Sequence, residues 1–390
     1  MQSNSVEFNV SGHWKVPRSR AHLFNREIEA EILQAVQPAL FGDYWQFPDL
    51  LRKFEQRFSK FIELPHVAAV QSGSAALYLA LKALGIEIGD EVITVANSDM
   101  STTSAIANCG AVPVLCDIKA ADYTMDSELV EPLITERTRG ILPVDLYGHP
   151  ADVKKLQEIA RKYGLFIVED AALATAARDY GRPMGAFADL TCFSTCSTKQ
   201  IGAIGNGGMI ATADTALQEK LEMYRNYGVN PASRDDPHSG MDQHVDGFNL
   251  KMSPVDAAVV TVKMDYLDEW TRRRRDIGAR YEARLQDCEG VVLPVFRSDS
   301  QSVRREFVLR VRNRDTVFTT LREKGIQVGL NYWPPAHLRK AYRGRNLPGS
   351  DRLPVTEAVS ADTVSLPVDP MLTDAEIDFV CDQLIEAVKR

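Results

Sequence analysis

The stretch FSTCSTKQIGAIGNGG, residues 193–208, sets one lysine, Lys199, among small hydroxyl and thiol side chains just ahead of a glycine-rich turn. An amine in such a loop can form a Schiff base with a carbonyl and move a proton at the neighbouring carbon, provided that other groups hold the bound molecule. Two further segments offer those groups. SGSAA, residues 72–76, follows an apolar run and opens a helical one, so the backbone N–H groups of Gly73, Ser74 and Ala75 and a serine hydroxyl can converge on a phosphate at a helix start. FIVEDAA, residues 166–172, ends a strand pattern on Asp170, a carboxylate that stays ionised in a buried place when an opposite charge faces it. Taken singly, each has a plainer explanation as a surface lysine, a serine helix cap or an aspartate helix cap.

These residues need a scaffold that brings them together. HVAAVQSGSAALYLALKALGI reads as strand, turn and amphipathic helix, and DEVITVANSD, AVPVLCDI, GILPVDLYG and GLFIVEDAA repeat the apolar strand pattern. The helical ADVKKLQEIARKYG lies between two of them, and GGMIATAD adds a strand after the lysine loop. This alternation predicts an α/β domain with a largely parallel sheet, which binds ligands beyond the carboxyl ends of its strands. The serine turn, Asp170 and Lys199 all fall at such ends. NREIEAEILQAVQPAL and LLRKFEQRFSKFI read as helices ahead of the sheet. The irregular segment from Asn230 to Gly247 reads as a long loop that covers a site or crosses to another subunit. A single helical stretch from Pro254 to about Leu285 then leads to a C-terminal α+β domain, in which REFVLRV reads as a strand, RDTVFTTLREKG as a helix, and LTDAEIDFVCDQLIEAVKR as a closing helix capped near Thr373 or Asp374. The expected division is residues 1–270, an N-terminal arm with the large domain, and residues 271–390, the linking helix with the small one.

A chain of 390 residues is long enough for such a pair of domains, and its net charge of −8 argues against a general nucleic-acid or anionic-membrane surface. The opening MQSNSVEFNVSGHWKVP lacks an apolar signal segment and no run is apolar enough to span a bilayer, so a cytoplasmic protein without membrane or nucleic-acid partners is expected. Six scattered cysteines read as buried thiols; Cys192 and Cys196 lack two further nearby ligands, so no metal site is expected. The run Arg272 to Arg275 reads as a solvated helix face. His149 and His337 show no carboxylate partner at an evident spacing and receive no catalytic role. What remains is an amine, a carboxylate and a set of phosphate donors, which are the three requirements of a pyridoxal 5'-phosphate site.

In their order and distances, SGSAAL, VEDAA, FSTCSTKQIGAIGNGG, GFNLKM and NYWPPAH resemble the DegT/StrS sugar aminotransferase family, within the fold-type I pyridoxal-phosphate enzymes, over roughly residues 12–385. The resemblance implies the fold-type I α/β architecture, with a mainly parallel large-domain sheet and a smaller C-terminal α+β domain. Lys199 would then hold the cofactor, Asp170 would pair with its ring nitrogen, and Ser194 would join Gly73, Ser74 and Ala75 around the phosphate. Asn249 would reach the phosphate region of the neighbouring subunit in a homodimer with shared sites. The implied reaction moves an amino group from glutamate or glutamine to a keto sugar, nucleotide-linked keto sugar or keto-cyclitol, by way of pyridoxamine 5'-phosphate, as in making amino sugars for antibiotics or cell surfaces. Three positions depart from the family pattern: Asp99 stands where an aromatic residue is common, Leu173 replaces a glutamine and Asp145 a histidine. Asp99 is therefore either a polar substrate contact or a helix cap. Two other functions stay open, a keto-sugar dehydratase and a cofactor-binding regulatory protein with little turnover. Related dehydratases replace the Schiff-base lysine by histidine, whereas Lys199 is retained, and no added DNA-binding segment accompanies the chain.

Overall fold

The computed structural model describes residues 14–43, 47–233 and 242–389. Helices α1 (Ala21–Glu27), α2 (Glu29–Phe41) and α3 (Phe47–Ile62) precede a series of strand-helix units. Strand β1 (His66–Val70) runs into α4 (Gly73–Ala83), β2 (Glu91–Val95) into α5 (Met100–Asn108), and β3 (Val112–Cys116) leads on to β4 (Thr138–Ile141). Then come α6 (Val153–Tyr163), β5 (Phe166–Asp170), the short β6 (Arg178–Asp179) and β7 (Arg182–Pro183), β8 (Leu190–Ser194), β9 (Gly208–Thr212) and α7 (Thr215–Tyr224).

The main sheet has the order β1-β9-β8-β5-β4-β2-β3. All neighbours are parallel except β9, which runs antiparallel to both β1 and β8. Every residue of β2, β8 and β9 is buried, as expected of strands covered by helices on both faces. On α3, Leu51, Phe54, Phe58 and Ile62 recur at helical spacing and form its buried stripe. Phe58 meets Phe193 of β8 edge to face, with ring centroids 5.1 Å apart. That contact seats the helix on the strand that carries Ser194.

The expected helix from Pro254 to Leu285 is two helices, α8 (Pro254–Lys263) and α9 (Leu267–Leu285). At the end of α8 the bonding tightens from i−4 to i−3, with Asp265 N–H on Val262 O and Tyr266 N–H on Lys263 O, which stops the α-helical ladder. Strands β10 (Val291–Val292), β11 (Ser300–Gln301) and β12 (Phe307–Val311) follow, then α10 (Arg314–Glu323), α11 (Pro354–Asp362), β13 (Thr363–Leu366) and α12 (Asp374–Val388). Strand β12 is the centre of an antiparallel trio with β10 and β13. Thr373 caps α12 in a reciprocal box with Glu376. A second core, including Leu309, Leu321, Leu366, Ile377 and Leu384, also takes in Val16.

The run Arg272 to Arg275 is not a solvated face throughout. Successive residues on a helix advance by about 100°, so four in a row sweep most of the circumference and one must turn inward. Arg274 does so, on the buried stripe with Trp270, Ile277 and Tyr281. The N-terminal thirteen residues of the opening segment and residues 234–241 of the Asn230–Gly247 loop lie outside the described residues. Among the described residues no helix is long and apolar enough to cross a membrane, and no acidic, histidine and cysteine cluster is arranged to hold a metal.

Phe58→Ala should cost about 3–5 kcal/mol of stability, because both rings are fully buried and the sheet cannot collapse into the space. Urea unfolding measures this as a lowered midpoint; a shift worth under about 1 kcal/mol would show that α3 does not depend on the contact.

Candidate active site

Strand β1 is parallel to β8 because β9 reverses between them, so β1, β2, β5 and β8 all deliver their carboxyl ends to one edge. A cavity of about 280 Å³ opens there, and Gly73, Ser74, Asp99, Asp170, Ser194 and Lys199 all line it. Two close approaches shape its floor. A Cβ on Gly73 would fall 2.8 Å from Ser194 Cβ, and one on Gly208 would fall 2.5 Å from Ser72 O. The start of α4 can therefore lie against β8 and β9 only because these two residues lack side chains. Ser72 caps α4 by accepting the Ala75 N–H at 3.1 Å. Ala75 is thus turned to the helix and does not line the cavity, unlike the three residues before it.

Asp170 is 4 % exposed. Its Oδ2 accepts the Thr102 hydroxyl at 2.9 Å and its Oδ1 the Ala172 N–H at 3.2 Å. Thr102 spends its only hydrogen on Asp170, so the Ser98 hydroxyl, 2.7 Å away, must donate to Thr102. Burial pushes the Asp170 carboxyl above the usual carboxylate range, while Thr102, Ala172 N–H and Lys199 pull it back.

Lys199 sits on the loop joining β8 to β9. Within that loop Thr195 N–H bonds Gly207 O, Ala203 N–H bonds Thr195 O and Lys199 N–H bonds Cys196 O, each at 2.8 Å. The next residue, Gln200, is buried and donates to Leu173 O at 2.5 Å, tying the lysine loop to the segment after Asp170. Burial lowers the basicity of the Lys199 amine and Arg305 lowers it further, against the opposing fields of Asp170, Asp99 and Glu306. Glu306 in turn pairs with Arg18 and, at 3.2 Å, with Arg305.

The three unusual positions separate. Asp99 caps α5, accepting Ser101 N–H at 3.0 Å and its hydroxyl at 2.9 Å, while also lining the cavity. Leu173 lines the cavity as well. Asp145 does not; it is fully buried and accepts the Ala151 N–H at 2.9 Å. His149 and His337 lie apart from the cavity: His149 stacks on Phe296 at 4.1 Å, and His337 meets Glu357 at 3.0 Å. Asn249 does not line the cavity either and is on a groove with Asn226, Lys251 and Pro254.

The sequence reading missed Thr102, Ser98, Tyr332 and Arg305. Thr102 carried a signal, three residues after Asp99 on one helix face. Tyr332 lay inside the quoted NYWPPAH; it reaches the cavity stacked against Tyr147, centroids 6.2 Å apart. Nothing in the sequence places Arg305, on the approach to β12, beside Lys199.

Residues 26–385 match the DegT/DnrJ/EryC1/StrS aminotransferase family. The chain is 38% identical over 354 residues to the erythromycin biosynthesis sensory transduction protein EryC1 of Saccharopolyspora erythraea, covering 91% of this chain and 94% of that one. It is 37% identical to the dTDP-3-amino-3,4,6-trideoxy-alpha-D-glucose transaminase of Streptomyces venezuelae, over 93% and 94% of the two chains. The crystal structure of S. venezuelae DesV in complex with a ketimine intermediate superposes with a TM-score of 0.89 at 36% identity, covering 96% of this chain and 99% of that one. NtdA of Bacillus subtilis, solved with bound cofactor PMP, gives 0.84 at 30% identity over 96% and 86%. With a fold of this kind and a lysine, an aspartate and a serine-lined helix start in one cavity, the chain belongs to the DegT/DnrJ/EryC1/StrS aminotransferase family.

Proposed function

We propose that this protein is a sugar aminotransferase that takes pyridoxal 5'-phosphate on Lys199 and moves an amino group from glutamate or glutamine to a keto sugar, nucleotide-linked keto sugar or keto-cyclitol. The observation that carries this reading is the single cavity lined by Lys199, Asp170 and the serine-rich start of α4. The donor set fits the cofactor. An amine is available for its aldehyde, Ser74, Ser194 and the first amides of α4 for its phosphate, and a buried carboxylate, bonded by the neutral donors Thr102 and Ala172 N–H, for its ring nitrogen.

When bound, pyridoxal phosphate supplies the electron sink that lets a proton leave the donor's α carbon, and pyridoxamine 5'-phosphate is the form present between the two half-reactions. Lys199 takes that proton and later returns it, a task suited to an amine whose basicity is already depressed. Asp170 balances the positive ring nitrogen, and Thr102 keeps its carboxylate oriented. Asp99 replaces a bulkier family residue on the wall and Leu173 a polar one, and both set the acceptor's fit. In this reading residues 1–270 hold the cofactor and residues 271–390 supply Tyr332 and Arg305. Asn249, which does not line its own cavity, serves the partner's phosphate site in a cytoplasmic homodimer that has no nucleic-acid or membrane partner. Retained Lys199 stands against the dehydratase alternative, and turnover separates the enzyme from a regulatory protein.

Borohydride treatment should bleach the visible absorbance of the purified protein and fix the cofactor to the Lys199 peptide. Lys199→Ala should fold, fail this labelling and lose about a hundredfold to ten-thousandfold in turnover. A label on another lysine would overturn the assignment.

Asn249→Ala should weaken cofactor retention by about tenfold, equivalent to about 1.4 kcal/mol, and activity should follow the dimer across a dilution series. Full activity in a verified monomer would exclude a shared site.

For the acceptor, the protein is first charged with glutamate or glutamine, freed of donor, and then offered nucleotide-linked keto sugars, free keto sugars, keto-cyclitols and simple keto acids in separate reactions. A polyhydroxylated ketone should restore the original spectrum and appear as an aminated product. Rapid reaction of simple keto acids with refusal of every polyhydroxylated ketone would reject the sugar reading. Asp99→Asn should affect only this second half-reaction if Asp99 touches the acceptor; a loss in both halves would assign it to placing the cofactor.

A further inference from the structure

Arg339 lies just beyond the NYWPPAH stretch, far from Asp170 in sequence, and does not line the cavity. Its half-buried guanidinium joins two backbone carbonyls. Nε donates to Pro334 O at 2.9 Å, within the same segment, and Nη2 donates to Ser98 O at 2.7 Å, across to the turn that leads from β2 into α5. That segment is fastened to the same turn by Ala336 N–H on Ala96 O at 2.9 Å, and Ala336, Tyr342 and Leu353 share a small apolar core with Ala96 and Leu115. The arginine thus reaches Ser98 from a segment whose own position is fixed.

Ser98 is 2 % exposed, and its side chain continues the connection. The hydroxyl donates to Thr102 Oγ1 at 2.7 Å, because the one Thr102 hydrogen is spent on Asp170 Oδ2 at 2.9 Å. A hydroxyl that accepts a hydrogen is polarised into a better donor, so Ser98 both aims the Thr102 hydroxyl and strengthens its bond to the carboxylate. Arg339 acts one step further back. A buried carbonyl left without a donor costs free energy, so the guanidinium on Ser98 O fixes the place from which the Ser98 hydroxyl reaches Thr102. Asp99 also lies in the field of Arg339, which gives the arginine a second, purely electrostatic route to the cavity wall.

We propose that Arg339 and Ser98 are positioning residues for Asp170, holding the Thr102 hydroxyl on the carboxylate that faces the ring nitrogen of the cofactor, which rests on the reading of Asp170 as the partner of that nitrogen. With Thr102 on one oxygen and the Ala172 N–H on the other at 3.2 Å, the carboxylate keeps one orientation before anything binds. The C-terminal part of the chain thereby sets the geometry of a group carried by the main sheet.

The protein stripped of cofactor is titrated in parallel with pyridoxal 5'-phosphate and with its analogue carrying a CH group in place of the ring nitrogen, and binding is followed by absorbance. Wild type should prefer the natural cofactor. Ser98→Ala and Arg339→Met should each weaken its binding by about three- to tenfold and that of the analogue much less, so that the preference falls. Arg339→Lys, which keeps a donor for the Ser98 carbonyl, should recover most of the preference, and with Ser98→Ala it serves if Arg339→Met does not fold. In a Thr102→Val background neither Ser98→Ala nor Arg339→Met should lower the preference further, because the connection already ends there. Equal losses for the two ligands would show a merely structural role and overturn the proposal. An unchanged preference, no recovery with lysine, or an effect of Arg339→Met that persists without the Thr102 hydroxyl, the mark of the route through Asp99, would overturn it too. A wild type without any preference would remove the pairing of Asp170 with the ring nitrogen and this inference with it, whereas a wild-type preference that the variants keep removes only the positioning role.

Discussion

The cavity depends on how closely the turn after β1 approaches the facing ends of β8 and β9. Gly73 against Ser194 and Gly208 against Ser72 leave no room for a methyl group, and this closeness sets the first turn of α4 over the loop that carries Lys199. Backbone amides hold an anion well only when they reach it, so the missing side chains do the positioning. The reversed strand β9 has the complementary effect. It brings the chain straight back beside β8, so the lysine loop spans a short gap and stays at the same edge as Asp170.

Inside that frame, charge is arranged by burial as much as by pairing. Asp170 is held by two neutral donors, the Thr102 hydroxyl and the Ala172 amide. Arg305 lowers the basicity of Lys199 while Asp170, Asp99 and Glu306 raise it, so small changes in either set alter its readiness to give up a proton. Gln200 supplies the mechanical part by tying the loop to Leu173. The loop that carries Lys199 is thereby anchored at the residue next to it.

Most of the parallel sheet was legible because buried strands leave continuous apolar runs, such as EVITV, bounded by turn residues. Asp170, Gly73 and Ser74 were legible because they end a strand or begin a helix, where a linear pattern changes, Lys199 because a glycine-rich turn follows it on a connection between strands, and Ser194 through the resemblance of its segment to the family's lysine motif. Long-range pairings left no such trace. Arg305 approaches Lys199 from over a hundred residues away in sequence, and the break between α8 and α9 comes from local bonding that residue types do not disclose. The arginine run misled for a related reason: four like charges suggest solvent, yet helical pitch sends Arg274 inward. Asp99 kept both of its readings, since a capping carboxylate can also border a cavity.

The segment before α1 belongs in space to the other end of the chain. Val16 pairs with Ile326, Arg18 N–H is accepted by Gln327, and Arg20 meets Glu376, all across some three hundred residues. During synthesis this stretch emerges early, yet the surface that receives it is among the last to be made. Val16 must therefore wait in solvent until the C-terminal core exists, and docking closes one of the longest loops the polypeptide can form. Arg18 reaches Glu306 only once that closure is made, so the electrostatic surroundings of Lys199 are completed at the end of folding. A chain halted before its last strand and helix would carry the lysine but not its finished setting.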